Sequence, residues 1–196
     1  MPVLHSFGDS ILDCAHYNAE GLEPVGILAR ELGIEAQRHA VDGATVGSLQ
    51  RQRRGARVAP EDVIIVTIGG NDLLGGLILD EGAGIAAFGD ALDAFLATLP
   101  RGRVLLGNVY DPTCGRDEAN FLPVPPAQGR AALARMNATL ATLAARHGRL
   151  VDIHAHFLQG DASWFTRVIE PSARGAVEVA RAFRPHVHAL LAQAAA

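Results

Sequence analysis

The chain has 196 residues, of which 49% are hydrophobic, and this suits one domain with a full core and argues against disorder. Its formal net charge is −4 and no basic stripe stands out, which argues against a nucleic-acid partner. All 17 basic residues are arginine, so a Walker A loop and a Schiff-base lysine are both excluded.

The N-terminal residues and the cysteines bear on the cellular location of the protein. Met1-Pro2-Val3-Leu4 has no charged n-region, and no apolar run is long enough to cross a bilayer. Cys14 and Cys114 are isolated and lack C-x-x-C spacing, so neither a zinc site nor a disulfide framework is indicated. We therefore expect a cytoplasmic protein without a membrane span, cofactor or metal. The oligomeric state stays open.

Strand-like and helix-like segments alternate along the chain. Apolar runs predict five strands, at residues 2–7, 34–41, 63–68, 103–108 and 150–153. The intervening segments predict helices at 24–32, 45–54, 84–99, 127–147 and 172–190, the last with a break near Pro185. Residues 110–126 and 159–170 predict long loops. The fold class that follows is α/β: a three-layer α/β/α sandwich with a five-stranded parallel sheet, in a single domain over residues 1–196.

Small polar residues follow the first three predicted strands. Ser10 lies in Gly8-Asp9-Ser10, Gly43 follows the second strand, and Asn71 lies in Gly69-Gly70-Asn71-Asp72. Ligands bind open parallel sheets at the carboxyl ends of the strands. A serine hydroxyl, a backbone N–H and a side-chain amide at that edge would form a nucleophile and an oxyanion hole. Each motif alone is also typical of a simple turn.

Together, these blocks resemble the SGNH (GDSL) hydrolase family. That family has a Gly-Asp-Ser nucleophile, a loop glycine, a Gly-x-Asn-Asp block and a C-terminal Asp-x-x-His-Pro block, and residues 108–113 also look like its loop after strand four. The resemblance covers nearly the whole chain. It implies a serine esterase or related acyl hydrolase acting on a small-molecule ester or acyl substrate. It also implies that Ser10 is the nucleophile, with an oxyanion hole from the Ser10 N–H, the Gly43 N–H and the Asn71 amide.

The fourth block departs from the family pattern. The segment Arg167-Val168-Ile169-Glu170-Pro171 aligns with Asp-x-x-His-Pro, so arginine replaces the aspartate and Glu170 replaces the histidine. A carboxylate is a weak base for a hydroxyl unless burial raises its pKa, and a nearby arginine has the opposite effect. Glu170 is therefore a candidate for an atypical base. The alternative is that it caps the last helix, where an anion is favourable.

A second candidate base lies just upstream. Asp152, His154 and His156 alternate, so in an extended chain they would share one face at the end of strand five. Of these, His156 is retained as a candidate catalytic residue. A partly exposed polar strand end is the alternative, and a metal site of the amidohydrolase-barrel kind is disfavoured because 196 residues are few for such a barrel. The roles of His16, which follows Ser10 closely, and of Arg167 stay open.

The sequence leaves two classes of function. In the first, the protein is an acyl hydrolase with a rearranged base. In the second, it is a non-catalytic binding module that uses the same donors to hold a carboxylate or acyl group. Arg167 favours the second, and the three intact blocks around Ser10 favour the first. A flavodoxin-like electron carrier has no support beyond fold analogy.

Overall fold

Five strands form a single parallel sheet in the computed structural model, which describes residues 2–80 and 82–194. The sheet order is β2-β1-β3-β4-β5, with the strands at β1 Leu4–Gly8, β2 Ala36–Arg38, β3 Val63–Thr67, β4 Val104–Gly107 and β5 Gly148–Val151. The residues of β1, β3 and β4 are all buried, as expected for a parallel sheet covered on both faces. The predicted fold class is confirmed.

Helices cover both faces of the sheet. They are α1 Pro24–Leu32, α2 Leu49–Arg54, α3 Gly70–Asp72, α4 Ile85–Leu96, α5 Pro126–His147, α6 Ile153–Phe157 and α7 Ala173–Ala194. One core cluster joins the sheet to α1 and α7, and the other joins it to α2, α4 and α5. Within residues 2–80 and 82–194, no helix has both the length and the hydropathy that a membrane span requires.

Most long elements match the predictions, with shifted ends. Helix α1 begins and ends as predicted, and Gly33 terminates it in a left-handed conformation with φ 64°. Three short elements were not predicted: the helical turn of α3, which continues as a π-helical turn over Leu73–Leu77, the helix α6, and a hairpin of β6 Phe165–Thr166 with β7 Glu170–Pro171. All three lie beyond carboxyl ends of the main strands, where the site was expected.

The predicted break near Pro185 is wrong, because α7 runs through this residue without interruption. Proline removes one helical hydrogen bond, a local cost that packing can outweigh. Val179, Phe183, Val187 and Leu190 form a fully or almost fully buried stripe on either side of Pro185. The packing of these side chains against the sheet keeps the helix continuous through Pro185.

The end of β1 is a position where only glycine fits. Gly8 has φ 128°, and a Cβ there would lie 1.8 Å from the carbonyl oxygen of Thr67. The Gly8 N–H donates to Gln52 Oε1 at 2.8 Å, and Gln52 Nε2 donates back to the Gly8 carbonyl oxygen at 2.8 Å. The last residue of β1 is thus pressed against β3 and tied to α2 by one side-chain amide.

We expect Gly8→Ala to lower the free energy of unfolding by about 3 kcal/mol or more, or to prevent folding, because its Cβ overlaps a backbone atom. Gly33→Ala is the matched control, since Gly33 also has positive φ but has open space around its Cβ position. The control should lose about 1 kcal/mol, the cost of the left-handed conformation alone. Urea unfolding of both variants measures the difference, and equal losses would show that the contact with Thr67 is unimportant.

Candidate active site

A cleft at the carboxyl edge of the sheet contains Ser10 and Asn71. Its empty volume is about 850 Å³, open solvent at the mouth included. The apolar side chains that line it include Leu73, Leu74, Ile78, Val109, Leu122 and Leu133. Ser10 is 7% exposed, and Ile169, next to Glu170, forms part of the wall. Gly43, Glu170 and His156 are not among the residues that line this cleft.

Ser10 lies in a tight turn directly after β1. The N–H of Asp9 donates to the Thr67 carbonyl oxygen at 3.2 Å, and the N–H groups of Leu12 and Asp13 donate to the Asp9 carbonyl oxygen. The N–H of Ser10 has no acceptor among the described residues. The turn therefore leaves the serine with an unused backbone donor beside its own hydroxyl.

The loop that carries Gly43 is hydrogen-bonded to two neighbouring segments, the end of β1 and the side chain of Asn71. The N–H of Val41 donates to the Gly8 carbonyl oxygen at 3.0 Å, and Asn71 Nδ2 donates to the Ala44 carbonyl oxygen at 3.0 Å. Gly43 has φ 71°, and its N–H has no acceptor in the described part of the chain. One amide hydrogen of Asn71 holds this loop, which leaves its second amide hydrogen available.

Glu170 lies in β7, close to Ser10. Burial raises the pKa of its carboxyl, and the hydroxyl of Ser10 interacts with the carboxylate and lowers that pKa in part. Its Oε2 atom is buried without a hydrogen-bond partner. The last helix is capped by Ser172 instead, whose Oγ accepts from the N–H of Gly175 at 3.1 Å. The capping role considered for Glu170 is thus filled by another residue.

Arg167 does not form an ion pair with Glu170 within the described residues. Its guanidinium lies over the ring of Tyr17, with Cζ 4.8 Å from the ring centroid. The arginine that replaces the family aspartate is therefore turned toward an aromatic ring. Its charge still lowers the pKa of Glu170, but less than burial raises it.

The expectation that Asp152, His154 and His156 share one face of an extended chain is wrong. The segment is helical in α6, and Asp152 Oδ1 caps it by accepting from the N–H of Ala155 at 2.9 Å. His156 Nε2 pairs with Glu178 Oε2 at 2.9 Å, away from the lining of the cleft. In the part of the chain that the structure describes, no three His, Cys, Asp or Glu side chains are arranged to hold a metal ion.

Sequence reasoning missed two residues that shape the site. Asp9 Oδ1 accepts from Thr67 Oγ1 at 2.9 Å, and burial raises the pKa of this carboxyl to about 7. The hydroxyl of Tyr110 donates to the Ile169 carbonyl oxygen at 2.6 Å, which anchors the strand that carries Glu170. Asp9 stands in the Gly-Asp-Ser block and was available as a candidate, whereas the Tyr110 contact joins segments 59 residues apart.

A parallel α/β/α sandwich with a serine, unused backbone donors and a carboxylate at its strand ends is built like a serine hydrolase. The chain belongs to the GDSL-like lipase/acylhydrolase family, whose model matches residues 6–177. This match confirms the family resemblance seen in the sequence. It also supports an acyl or ester hydrolase as the general class of activity.

Solved structures share the fold over nearly the whole chain. An extracellular lipase from Streptomyces rimosus has 18% identity and a TM-score of 0.71, covering 97% of this chain and 100% of its own. A lipase/acylhydrolase from Enterococcus faecalis has 18% identity and a TM-score of 0.66, covering 95% and 97%. The acetyl xylan esterase AlAXEase has 16% identity and a TM-score of 0.71, covering 94% and 99%. No curated protein matches the chain significantly.

We expect Asp9→Asn to stabilise the protein more at pH 8 than at pH 5. The folded carboxyl binds its proton more tightly than an unfolded one, so wild-type stability falls as pH rises from about 4 toward about 7. The amide keeps an oxygen that can accept the bond from Thr67. Urea unfolding at both pH values should show a difference of about 1 kcal/mol or more, with the exposed Asp90→Asn as control. A pH-independent difference would contradict the raised pKa.

Proposed function

We propose that the protein is a serine acyl hydrolase that cleaves ester or thioester bonds with Ser10 as nucleophile. The observation that carries this proposal is the arrangement around Ser10. Two backbone N–H groups, of Ser10 and Gly43, have no acceptor among the described residues, and the Ser10 hydroxyl lowers the pKa of the half-buried Glu170 carboxyl. Unused donors at this point suit a developing oxyanion better than they suit a purely structural turn.

The reaction follows from these groups in two steps. Ser10 Oγ attacks the acyl carbon, its proton passes to Glu170, and the carbonyl oxygen becomes an anion held by the N–H groups of Ser10 and Gly43 and by Asn71. The intermediate collapses, the alcohol or thiol leaves with the proton from Glu170, and an acyl-enzyme stays on Ser10. Water then attacks this ester, gives its proton to Glu170, and Ser10 regains that proton as the acid departs.

Glu170 suits the role of base better than His156. Burial raises the pKa of Glu170, which strengthens the carboxylate as a proton acceptor, and Ser10 already interacts with it. Contacts between a nucleophile and its base are often loose without substrate. His156 is paired with Glu178, which also pairs with Arg181. Rotating His156 toward Ser10 would leave the buried Glu178 with one partner fewer.

The cleft favours a substrate with an apolar group. Its surface is mostly apolar, and Leu74 and Phe121, which belong to it, are 41% and 38% exposed. Burying each methylene of a bound chain contributes about 0.8 kcal/mol. We therefore propose small-molecule esters with an aliphatic acyl or alcohol group as substrates. Both cysteines are free thiols, which fits the predicted cytoplasmic location.

The alternative, a non-catalytic binding module, uses the same donors for a stable carboxylate. Nothing in the geometry of Arg167 favours it, since this arginine faces Tyr17 and not the cleft. The two functions differ in turnover and in covalent chemistry at Ser10. A protein that binds carboxylates but neither hydrolyses esters nor reacts with phosphonylating probes would support the binding module.

Ser10 should be labelled by a fluorophosphonate probe, and Ser10→Ala should abolish both labelling and hydrolysis of p-nitrophenyl butyrate. Asn71→Ala should keep labelling but lower kcat by about 10²-fold, because it removes one oxyanion donor. Mass spectrometry of the labelled peptide and steady-state kinetics check both. Labelling at another residue, or near-normal kcat in Asn71→Ala, would contradict these assignments.

Glu170→Gln should lower kcat by about 10²-fold or more, because the amide cannot accept a proton from Ser10. Glu178→Gln is the matched control, since it neutralises the partner of His156 and leaves Glu170 in place. Kinetics of folded variants, checked by urea unfolding, separate the two candidates. If Glu178→Gln lowers kcat by about 10²-fold or more while Glu170→Gln stays active, His156 is the base.

A further inference from the structure

Two carboxylates hold the loop that carries Gly43 from opposite sides. On one side, the N–H of Asp42 donates to Asp13 Oδ2 at 2.9 Å. On the other side, the N–H of Val46 donates to the carboxylate of Asp72, both of whose oxygens lie 3.2 Å from the nitrogen. The mechanism above uses neither Asp13 nor Asp72.

Each of these carboxylates belongs to a segment that carries another group of the proposed site. Asp13 lies in the turn that contains Ser10, where its own N–H donates to the Asp9 carbonyl oxygen at 3.1 Å. Asp72 directly follows Asn71 in α3, the helical turn after β3. The two side chains therefore connect the loop of Gly43 to the turn of Ser10 and to the turn of Asn71.

Hydrogen bonds, rather than packing of side chains, position the peptide groups around Gly43. The N–H of Ala44 donates to the Val41 carbonyl oxygen at 3.1 Å, and Asn71 Nδ2 donates to the Ala44 carbonyl oxygen at 3.0 Å. In the part of the chain that the structure describes, the N–H groups of Gly43 and Thr45 have no acceptor. The exposed residues of this loop are Val41, Asp42, Gly43 and Thr45. The bonds on either side of Gly43 thus hold the loop while its own N–H stays available.

The two carboxylates have different surroundings. Asp72 is half-buried, and Val46, whose N–H it accepts, packs against one of the two core clusters. Hydrogen bonds to an ionised acceptor are about twice as strong as neutral ones, and water competes with them less where they are buried. The bond between Asp42 and Asp13 is exposed, so water replaces it more readily. We therefore expect Asp72 to hold the loop more strongly than Asp13.

We propose that Asp13 and Asp72 are positioning residues for the oxyanion hole, which hold the Gly43 N–H where it can act together with the donors of Ser10 and Asn71. This inference rests on the proposed function of Ser10. Donors that are fixed in advance stabilise an oxyanion because they need no reorganisation as the charge develops. A displacement of about 1 Å in such a site can cost about 10²-fold in rate. The two carboxylates therefore affect turnover through the loop, without touching the substrate.

The test compares leucine with asparagine at both positions, because leucine resembles aspartate in shape but has no acceptor, whereas asparagine keeps one acceptor oxygen. With p-nitrophenyl butyrate, Asp72→Leu should lower kcat about 10-fold or more and Asp13→Leu about 3-fold or more, with KM changed less than about 2-fold. Asp72→Asn and Asp13→Asn should recover most of the lost kcat. Asp80→Leu is the matched control, since Asp80 accepts from two backbone N–H groups but does not line the cleft.

Inhibition by butane-1-boronic acid gives a second measurement that a purely structural role would not change. The boron atom forms a tetrahedral adduct with a serine hydroxyl and so places an oxygen where the oxyanion would lie. An inhibitor of this kind follows the stability of the transition state. Its inhibition constant should therefore rise in each leucine variant by about the factor by which kcat falls, and should stay unchanged in Asp80→Leu.

The outcomes distinguish this inference from the function on which it rests. If Ser10→Ala keeps wild-type activity, the proposed function is wrong. If Ser10→Ala is inactive but either leucine variant keeps the wild-type kcat and inhibition constant, the two-sided positioning role is overturned while Ser10 stays the nucleophile. Equal losses in the leucine and asparagine variants would also overturn it. Urea unfolding shows whether each variant is folded, and alanine at the same position supplies the test where leucine prevents folding.

Discussion

The close approach of Gly8 to the Thr67 carbonyl sets the geometry of the whole carboxyl edge of the sheet. This close approach fixes the position of the end of β1 relative to β3. The N–H of the next residue, Asp9, therefore donates to the same Thr67 carbonyl oxygen. The carboxyl of Asp9 then accepts from the Thr67 hydroxyl, and Ser10 is left at the turn with an unused donor. On the other side, the Gly8 carbonyl oxygen accepts from Val41 and so fixes the loop of Gly43. The proposed nucleophile and one proposed oxyanion donor thus depend on one backbone contact.

The carboxylate at the site is positioned by different means. Glu170 comes from a two-stranded hairpin outside the main sheet, and the tertiary contacts of that hairpin hold it. Tyr110 binds the Ile169 carbonyl oxygen, and the Ser172 cap starts α7 directly after Pro171. The chain therefore belongs to its family through a sheet edge that follows the family pattern, and departs from it in a loop where one titratable group has replaced another.

The sequence predicted the fold well where burial dictates the residue pattern. The apolar run of β3 and the Pro24 and Gly33 ends of α1 have no plausible alternative, and both are confirmed. The sequence-based prediction was wrong where one local pattern is compatible with two kinds of secondary structure. The alternation of Asp152, His154 and His156 mimics a strand, but the Asp152 cap selects a helix. The hairpin strands are two residues long, too short to show a period. The position of Glu170 near Ser10 was inferred from family resemblance and Pro171, whereas the contact between His16 Nε2 and Asp42 Oδ2, which are 3.5 Å apart, joins two loops and has no sequence pattern.

The two hydrogen bonds between Gln52 and Gly8 restrict which side chains position 52 can carry. A carboxamide offers one donor and one acceptor side by side, and β1 uses both at Gly8. The flanking residues Arg51, Arg53 and Arg54 show that the helix tolerates arginine around this position. A glutamine codon becomes an arginine codon by a single nucleotide change, yet arginine has no acceptor for the Gly8 N–H. Arginine at position 52 would therefore leave the Gly8 N–H without its acceptor, although the same helix carries arginine on either side of this position. A residue on an outer helix is thereby tied to the geometry of the strand end that precedes Ser10.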